Sequence, residues 1–144
     1  MARTASDIVI DADPTRVMDV IADFEAYPDW ATGVRSTEVV AGSGPRAERV
    51  HFVLDAAPIR DEYDLVYTWD DDRAVSWSLY EKGSMLTSMD GRYELESTTG
   101  GTKVTYQLEV DVAVPLLGML KRKAEKVIID TALAGLKRRV ERDG

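Results

Sequence analysis

Six segments with alternating apolar and polar residues, followed by one long segment of helical composition, constrain the fold of this 144-residue chain more than any other feature. A period of two predicts β-strands with one buried face and one solvated face. Short stretches rich in Gly, Pro and Asp separate the segments, so antiparallel hairpins are expected rather than parallel crossovers. The six predicted strands are centred on residues 34–40, 49–54, 63–69, 75–80, 85–96 and 103–114.

A strand and a short helix precede this series. Residues 4–12 alternate in the same way and predict a strand with one buried face. Asp13 followed by Pro14 is typical of a helix N-terminus, because an Asp side chain caps free N–H groups and proline is tolerated in the first turn. We expect this helix to end before Pro28, with residues 27–30 forming a tight connection.

The last predicted element is one helix from Leu116 to about Arg142, roughly 40 Å long at the usual rise per residue. Its apolar residues form two stripes on roughly opposite sides. We expect the first stripe to face the sheet, where its small residues permit either a close approach or a cavity. The second stripe is expected to pack within the domain, with a homodimer interface as the alternative. The first stripe consists of Leu117, Leu120, Ala124, Val127, Ile128, Thr131 and Gly135, and the second of Ile129, Leu133, Leu136 and Val140.

The composition narrows the possible chemistry. The chain has no Cys and a single His, which excludes disulfides, thiolate metal sites and a cysteine nucleophile. With 18 Lys and Arg against 26 Asp and Glu, its formal net charge of −8 argues against a nucleic-acid partner. No apolar run has the length of a transmembrane helix or the features of a signal peptide. We therefore expect one cytoplasmic domain spanning residues 1–144.

Three groups of residues form a pattern that extends along the whole chain. They are Ile8-x-Ile10-x-Ala12 with Tyr27-Pro28-x-Trp30, then Asp90-Gly91-x-Tyr93-x-Leu95, and Gly101-Thr102-x-Val104-x-Tyr106 with the helical residues 120–125. This pattern resembles the START-like (SRPBCC) superfamily, more narrowly its polyketide cyclase/dehydrase and coenzyme Q-binding branch of actinobacterial type. The resemblance implies an α+β helix-grip fold: a seven-stranded curved antiparallel sheet wrapped around a long C-terminal helix, with one or more short helices after the first strand.

The resemblance also implies a cavity between sheet and helix that binds an apolar small molecule, such as a polyketide, a quinone or a lipid-like compound. Such a site needs apolar and aromatic walls with a few polar anchors. The ligand-binding candidates are Phe24, Tyr27, Trp30, Trp77, Met85, Met89, Tyr93, Leu117, Leu120, Ala124 and Ile128.

Polyketide aromatase or cyclase activity is the alternative function, since some members of this family catalyse such reactions. The reaction needs a positioned proton donor and acceptor in a dry pocket. The candidates are Arg60, Tyr63 and Tyr93, with Tyr67, Tyr106 and Asp90 as further ones. Each has a structural alternative, because tyrosines in a sheet usually belong to the core and Arg60 can form a surface ion pair.

Other kinds of catalytic site find no support in the sequence. It contains no serine-hydrolase elbow, no phosphate-binding loop and no zinc-protease motif. His51 alternates with apolar neighbours and is expected to face solvent. No metal and no other cofactor is expected. The residues therefore favour binding over catalysis.

Overall fold

The computed structural model describes residues 4–31, 33–42, 46–56, 59–83, 85–113 and 118–142. The strands are β1 (Thr4–Ile10), β2 (Val34–Ala41), β3 (Arg49–Ala56), β4 (Ile59–Asp70), β5 (Ala74–Leu79), β6 (Leu86–Thr98) and β7 (Gly101–Val112). The helices are α1 (Pro14–Ala22), α2 (Tyr27–Trp30) and α3 (Gly118–Arg142), and a 3₁₀ turn at Phe24–Ala26 joins the first two.

The seven strands form one antiparallel sheet in the order β1-β7-β6-β5-β4-β3-β2. Strands β2 to β7 are joined as successive hairpins, as the short turns predict. The first strand pairs with the last, so β1 and β2 are the two edges, and the helices α1 and α2 lie between them in sequence. The predicted α+β fold, with a curved sheet around a long C-terminal helix, is confirmed.

The N-terminus of α1 is formed as its sequence predicts. The Asp13 side chain accepts a hydrogen bond of 2.9 Å from the backbone N–H of Arg16, and Pro14 occupies the first turn. The apolar face of the helix enters the core through Val17, Met18 and Ile21.

The segment after α1 differs from the prediction. Helix α1 ends at Ala22, and residues 27–30 form a helical turn, α2, instead of a tight connection. Pro28 lies in the first turn of α2, where its missing N–H needs no partner. The turn buries both Tyr27 and Trp30.

The second apolar stripe of α3 is covered within the chain itself. Its four residues are each no more than 2% exposed and belong to the hydrophobic core. They do not supply the homodimer interface considered as an alternative, because no part of the stripe is left for a second copy. The four residues are Ile129, Leu133, Leu136 and Val140.

A buried carboxylate joins α3 to the edge of the sheet. Glu125 is 3% exposed; its Oε2 accepts a hydrogen bond of 2.7 Å from the backbone N–H of Val110, and its Oε1 accepts one of 2.6 Å from the Thr4 hydroxyl. Thr4 pairs with Leu108, so Val110 lies beyond the described end of β1. Glu125 thus accepts from a strand N–H that lies outside the described pairing of β1 with β7.

His51 lies on the outer face of the sheet, as its neighbours predict. Its Nδ1 is 2.7 Å from the Asp64 carboxylate and its Nε2 is 3.3 Å from that of Glu62. Arg49 donates to the same Asp64 carboxylate at 2.6 Å. The hydrogen bond to Asp64 raises the pKa of His51 above its usual value.

Candidate functional site

A cavity of about 380 Å³ lies between the inner face of the sheet and α3. This volume is within the range of small-molecule binding sites. The lining residues are Tyr27, Trp30, Ala31, Gly33 and Val34 from α2 and the start of β2, Phe52, Leu54, Asp55, Tyr63, Leu65, Tyr67, Trp77, Met89, Tyr93, Tyr106 and Leu108 from the sheet, and Ala124, Val127, Ile128, Thr131 and Ala132 from α3.

The sheet side of the cavity is strongly aromatic, because the strand register places ring-bearing residues opposite one another on the inner face. The cross-strand pairs are Phe52–Tyr63, Tyr67–Trp77 and Tyr93–Tyr106, with ring centroids 5.9, 5.7 and 4.6 Å apart. Such pairs stabilise a sheet beyond the area that they bury. Together they give the cavity an aromatic wall that also carries tyrosine hydroxyl groups.

Trp77 has its position in this wall because Gly91 faces it. A Cβ atom at Gly91 would lie 2.2 Å from Cε2 and Cζ2 of Trp77, closer than any side chain can approach. Gly91 is the cross-strand partner of Trp77, and the indole ring occupies the space above its Cα. The glycine therefore lets the indole ring lie directly against β6.

Four tyrosine hydroxyls of the cavity wall form no hydrogen bond with any residue that the structure describes. They belong to Tyr63, Tyr67, Tyr93 and Tyr106, and we call them the tyrosine cluster. Burial raises the pKa of all four phenols above the usual value, and nearby tyrosines raise the pKa of Tyr63, Tyr67 and Tyr93 further. The hydroxyls are therefore protonated at neutral pH, and each can both donate and accept a hydrogen bond.

Tyr27 differs from the tyrosine cluster. Its hydroxyl donates a hydrogen bond to the backbone carbonyl of Ile21 in α1. Burial raises the pKa of this phenol as well. Tyr27 therefore anchors α2 to α1 and presents its ring, rather than a free hydroxyl, to the cavity.

Trp30 approaches α3 closely at Gly135. A Cβ atom at Gly135 would lie 2.1 Å from the backbone carbonyl oxygen of Trp30. Ala124 and Thr131, from the same stripe, line the cavity, so both arrangements expected of the small residues occur along one helix. The indole Nε1–H of Trp30 is fully buried and has no hydrogen-bond acceptor among the described residues.

The charged part of the lining is an ion-pair cluster around Asp55. Arg35 donates to its Oδ2 at 2.7 Å, and Arg60 approaches its Oδ1 at 2.8 Å. Both arginine side chains are at least 70% exposed, which places the cluster at the rim of the cavity. The hydrogen bond from Arg35 lowers the pKa of the Asp55 carboxyl below its usual value, with a further contribution from Arg60.

Many of the residues predicted for the site lie on the cavity wall, and several lie elsewhere. Those on the wall are Tyr27, Trp30, Tyr63, Tyr67, Trp77, Met89, Tyr93, Tyr106, Ala124 and Ile128. Phe24 is buried behind the wall, with its ring centroid 4.8 Å from that of Tyr67. Leu117 lies outside the described residues, as does the side chain of Leu120.

Three predicted residues do not reach the cavity. Arg60 extends into solvent, where its guanidinium pairs with the Asp55 carboxylate at 2.8 Å. Met85 precedes β6 and its Sδ accepts a hydrogen bond of 3.4 Å from the backbone N–H of Arg60. Asp90 alternates with the buried Met89 and Gly91, so the pleat of β6 directs it to the outer face.

Sequence reasoning missed part of the wall. Phe52, Leu54, Leu65 and Leu108 follow the period-two pattern, which assigned them to the buried face without distinguishing core from cavity. Ala31, Gly33 and Val34 carried no signal, because they line the cavity only through the position of α2 beside β2. Val127 is 54% exposed although it also lines the cavity, which places it at the opening.

Two further findings concern metals and membranes. In the described ranges no group of three or more His, Cys, Asp or Glu residues is placed to hold a metal ion. None of the helices in the part of the chain that the structure describes is both long and apolar enough to cross a membrane.

The site and fold agree with a known family. Residues 1–141 match the family model described as polyketide cyclase / dehydrase and lipid transport. The chain belongs to this family. The resemblance to a polyketide cyclase/dehydrase family is thereby confirmed. A comparison with curated proteins finds no match.

Solved structures of similar fold cover nearly the whole chain. A START superfamily protein from Mycobacterium smegmatis is 17% identical, covers 100% of both chains and has a TM-score of 0.90. A protein from Thermus thermophilus is 25% identical over 99% of both chains, with a TM-score of 0.81. The Zhui aromatase/cyclase from Streptomyces sp. R1128 is 15% identical over 96% of this chain and 92% of that one, with a TM-score of 0.73.

Proposed function

We propose that this protein binds an apolar small molecule, of polyketide, quinone or lipid-like type, in the cavity between the sheet and α3. The observation that carries the proposal is the aromatic cavity of about 380 Å³ in the interior of a small protein. Protein cores are normally packed without spaces much larger than a water molecule. A space of this size with apolar walls and a few polar groups suits an organic ligand.

The family adds support, because its description combines polyketide cyclases and dehydrases with lipid transport. The finer assignments from the sequence are part of the same proposal. They are the coenzyme Q-binding branch, the actinobacterial type, a cytoplasmic location and a single domain over residues 1–144.

A polyketide aromatase or cyclase is the second candidate, and the tyrosine cluster is the observation that favours it. Four protonated phenols could donate to the oxygens of a folding polyketide chain. The same cavity lacks a well-placed general base among its described lining residues. Asp55 is the one ionised side chain among them, and ion pairs with Arg35 and Arg60 hold it at the rim. Because general acid–base catalysis needs an acceptor as well as a donor, we place binding before catalysis.

The binding proposal is tested by filling the cavity from the helix side. Ala124→Trp introduces an indole into the lining, whereas Arg122→Trp introduces the same group at an exposed position of α3. We expect Ala124→Trp to abolish binding of the neutral dye Nile red, followed by its fluorescence, while Arg122→Trp binds like the wild type. Unchanged binding by Ala124→Trp, with circular dichroism showing both variants folded, would contradict the proposed location.

The catalytic candidate has its own test. The wild type, Tyr63→Phe and Tyr93→Phe are incubated with a linear polyketide substrate, and cyclised products are separated by chromatography. Products formed by the wild type and lost in the variants would favour an enzyme. A product distribution equal to that without protein would leave the protein as a binder.

A further inference from the structure

The charge of the chain is divided unevenly between α3 and the rest of the molecule. Helix α3 carries eight Lys and Arg against three Asp and Glu, which gives it a net charge of +5. Because the whole chain carries −8, the remainder carries −13. A basic helix on an acidic body makes the molecule strongly dipolar, and such a dipole orients a protein relative to a charged partner.

Much of the positive charge of α3 lies on its exposed side, which we call the basic face. Its exposed cations are Arg122, Lys123, Lys126, Arg138 and Arg142, and its exposed acids are Asp130 and Glu141. Lys126 pairs with Asp130 at 3.1 Å. Arg122, Lys123 and Arg138 form no ion pair with any residue that the structure describes. The basic face therefore carries cations that the chain itself does not neutralise.

The opening of the cavity lies along the basic face. Val127 lines the cavity and is 54% exposed, more than any other large apolar side chain among the described residues. Lys123 precedes it by one helical turn, so both project from the same side of α3. Across the opening, the exposed guanidinium groups of Arg35 and Arg60 together exceed the single charge of Asp55. The opening thus has an apolar edge with positive charge on both sides.

The composition of the basic face fits a flat anionic surface. From Arg122 to Arg142 the face extends about 30 Å along the helix. Helix α3 contains no aromatic residue, whereas single-stranded nucleic acids stack on aromatic side chains and protein interfaces use them as anchors. Long Lys and Arg side chains can instead place their charges among lipid phosphates while their apolar stems lie against the surface. Lipid is also a medium in which apolar compounds dissolve.

We propose that the basic face, with Arg35 and Arg60, docks on an anionic lipid surface and turns the cavity opening towards the lipid. An apolar ligand would then pass between membrane and cavity without crossing water. The inference goes beyond the proposed function, because docking requires the surface of α3 and not an occupied cavity. Each Lys or Arg held close to an anionic membrane strengthens the association about fivefold.

Sedimentation of the full chain with lipid vesicles tests the docking. One set of vesicles consists of phosphatidylcholine, and the other of phosphatidylcholine with an equal amount of phosphatidylglycerol. We expect binding to the anionic vesicles alone. This binding should be lost when the salt concentration rises from about 0.1 M to about 1 M, because the screening length falls from about 10 Å to about 3 Å. Equal binding to both sets, or no binding to the anionic set, would overturn the proposal.

Two variants of equal net charge test the role of the basic face. Lys123→Gln/Arg138→Gln removes two charges from this face, and Arg73→Gln/Lys82→Gln removes two from exposed positions elsewhere. We expect the first variant to bind anionic vesicles about 25-fold more weakly and the second to bind like the wild type. Equal weakening would contradict the proposal, because overall charge would then govern binding. Nile red binding, expected to be unchanged in both, distinguishes failed docking from a damaged cavity.

The orientation on the membrane has its own test, because a chain without Cys can be labelled at one chosen position. Val127→Cys and Thr68→Cys are each labelled with the environment-sensitive dye NBD; Thr68 is exposed on β4. We expect anionic vesicles to raise the emission of the dye at position 127 and not at position 68. A response at position 68 alone, or at neither position, would overturn the orientation. Binding to double-stranded DNA without binding to vesicles would assign the basic face to nucleic acid and overturn the proposal.

Discussion

The indole ring of Trp77 occupies the space that a side chain at Gly91 would need. The two residues are cross-strand partners on β5 and β6, and a Cβ at Gly91 would lie 2.2 Å from the ring. Trp77 is 8% exposed and contributes to the cavity wall, so the shape of the cavity depends on the absence of one methyl group in the neighbouring strand.

Replacing Gly91 by Ala should therefore displace Trp77. We expect a loss of about 1–3 kcal/mol in the free energy of unfolding, the usual cost of overpacking, and weaker ligand binding. Urea denaturation and Nile red titration measure the two effects. Gly100→Ala is the matched control, because a Cβ there meets Val9 at an ordinary 3.8 Å and should change stability by no more than about 0.5 kcal/mol. Equal effects of the two substitutions would contradict this account of Gly91.

Glu125 should contribute to stability through its two acceptor oxygens. In Glu125→Met both acceptor oxygens are replaced by apolar atoms in a side chain of similar size, so the N–H of Val110 loses its acceptor. We expect a loss of about 1–3 kcal/mol in the free energy of unfolding, measured in urea, because a buried group is left unsatisfied. Asp130→Asn, at an exposed position of the same helix, is expected to have little effect. A Glu125→Met variant as stable as the wild type would show that the buried contacts contribute nothing.

The raised pKa of His51 predicts how the free energy of unfolding depends on pH. Its pKa in the folded protein is raised above 6.5, first by the hydrogen bond to Asp64 and further by Glu62. The stabilisation is therefore fully present below the unfolded value of about 6.5 and is lost as the pH rises through the higher folded pKa. We expect the free energy of unfolding to fall across this window in the wild type and to be flatter in His51→Gln. Identical pH profiles of the two proteins would contradict the role of the ion pairs.

The buried tyrosines predict resistance to alkaline ionisation. Burial raises the pKa of the tyrosine cluster and of Tyr27 above the usual value near 10. Because the unfolded chain releases these protons first, stability should fall as the pH rises above about 10. Absorbance at 295 nm should show the five phenols ionising only together with unfolding, which circular dichroism follows. Their ionisation in a protein that is still folded would mean that the cavity admits solvent freely.

Residue periodicity predicted most of the fold and part of the site. The alternation around Val104 and Tyr106 identified the buried face of β7, and the same rule placed Trp77, Met89 and Tyr93 inside. Two other candidates lie off this face: Arg60 is exposed on the same side of β4 as Glu62, and Met85 precedes β6. Periodicity also did not predict α2. A single helical turn is too short to show a helical period, and the turn at residues 27–30 is stabilised by the packing of Tyr27 and Trp30.

The sequence by itself determined the order of strands and helices and the face that each strand buries, since a period of two assigns alternate side chains to opposite sides. Only the tertiary structure decided which buried residues line a cavity and which fill the core. Whether Gly135 permits close approach while Ala124 leaves space depends on how α3 lies against the sheet. The difference between Tyr27, whose hydroxyl donates to Ile21, and the tyrosine cluster, which lies on the cavity wall, is likewise visible only in three dimensions, because it depends on how the helices lie against the sheet.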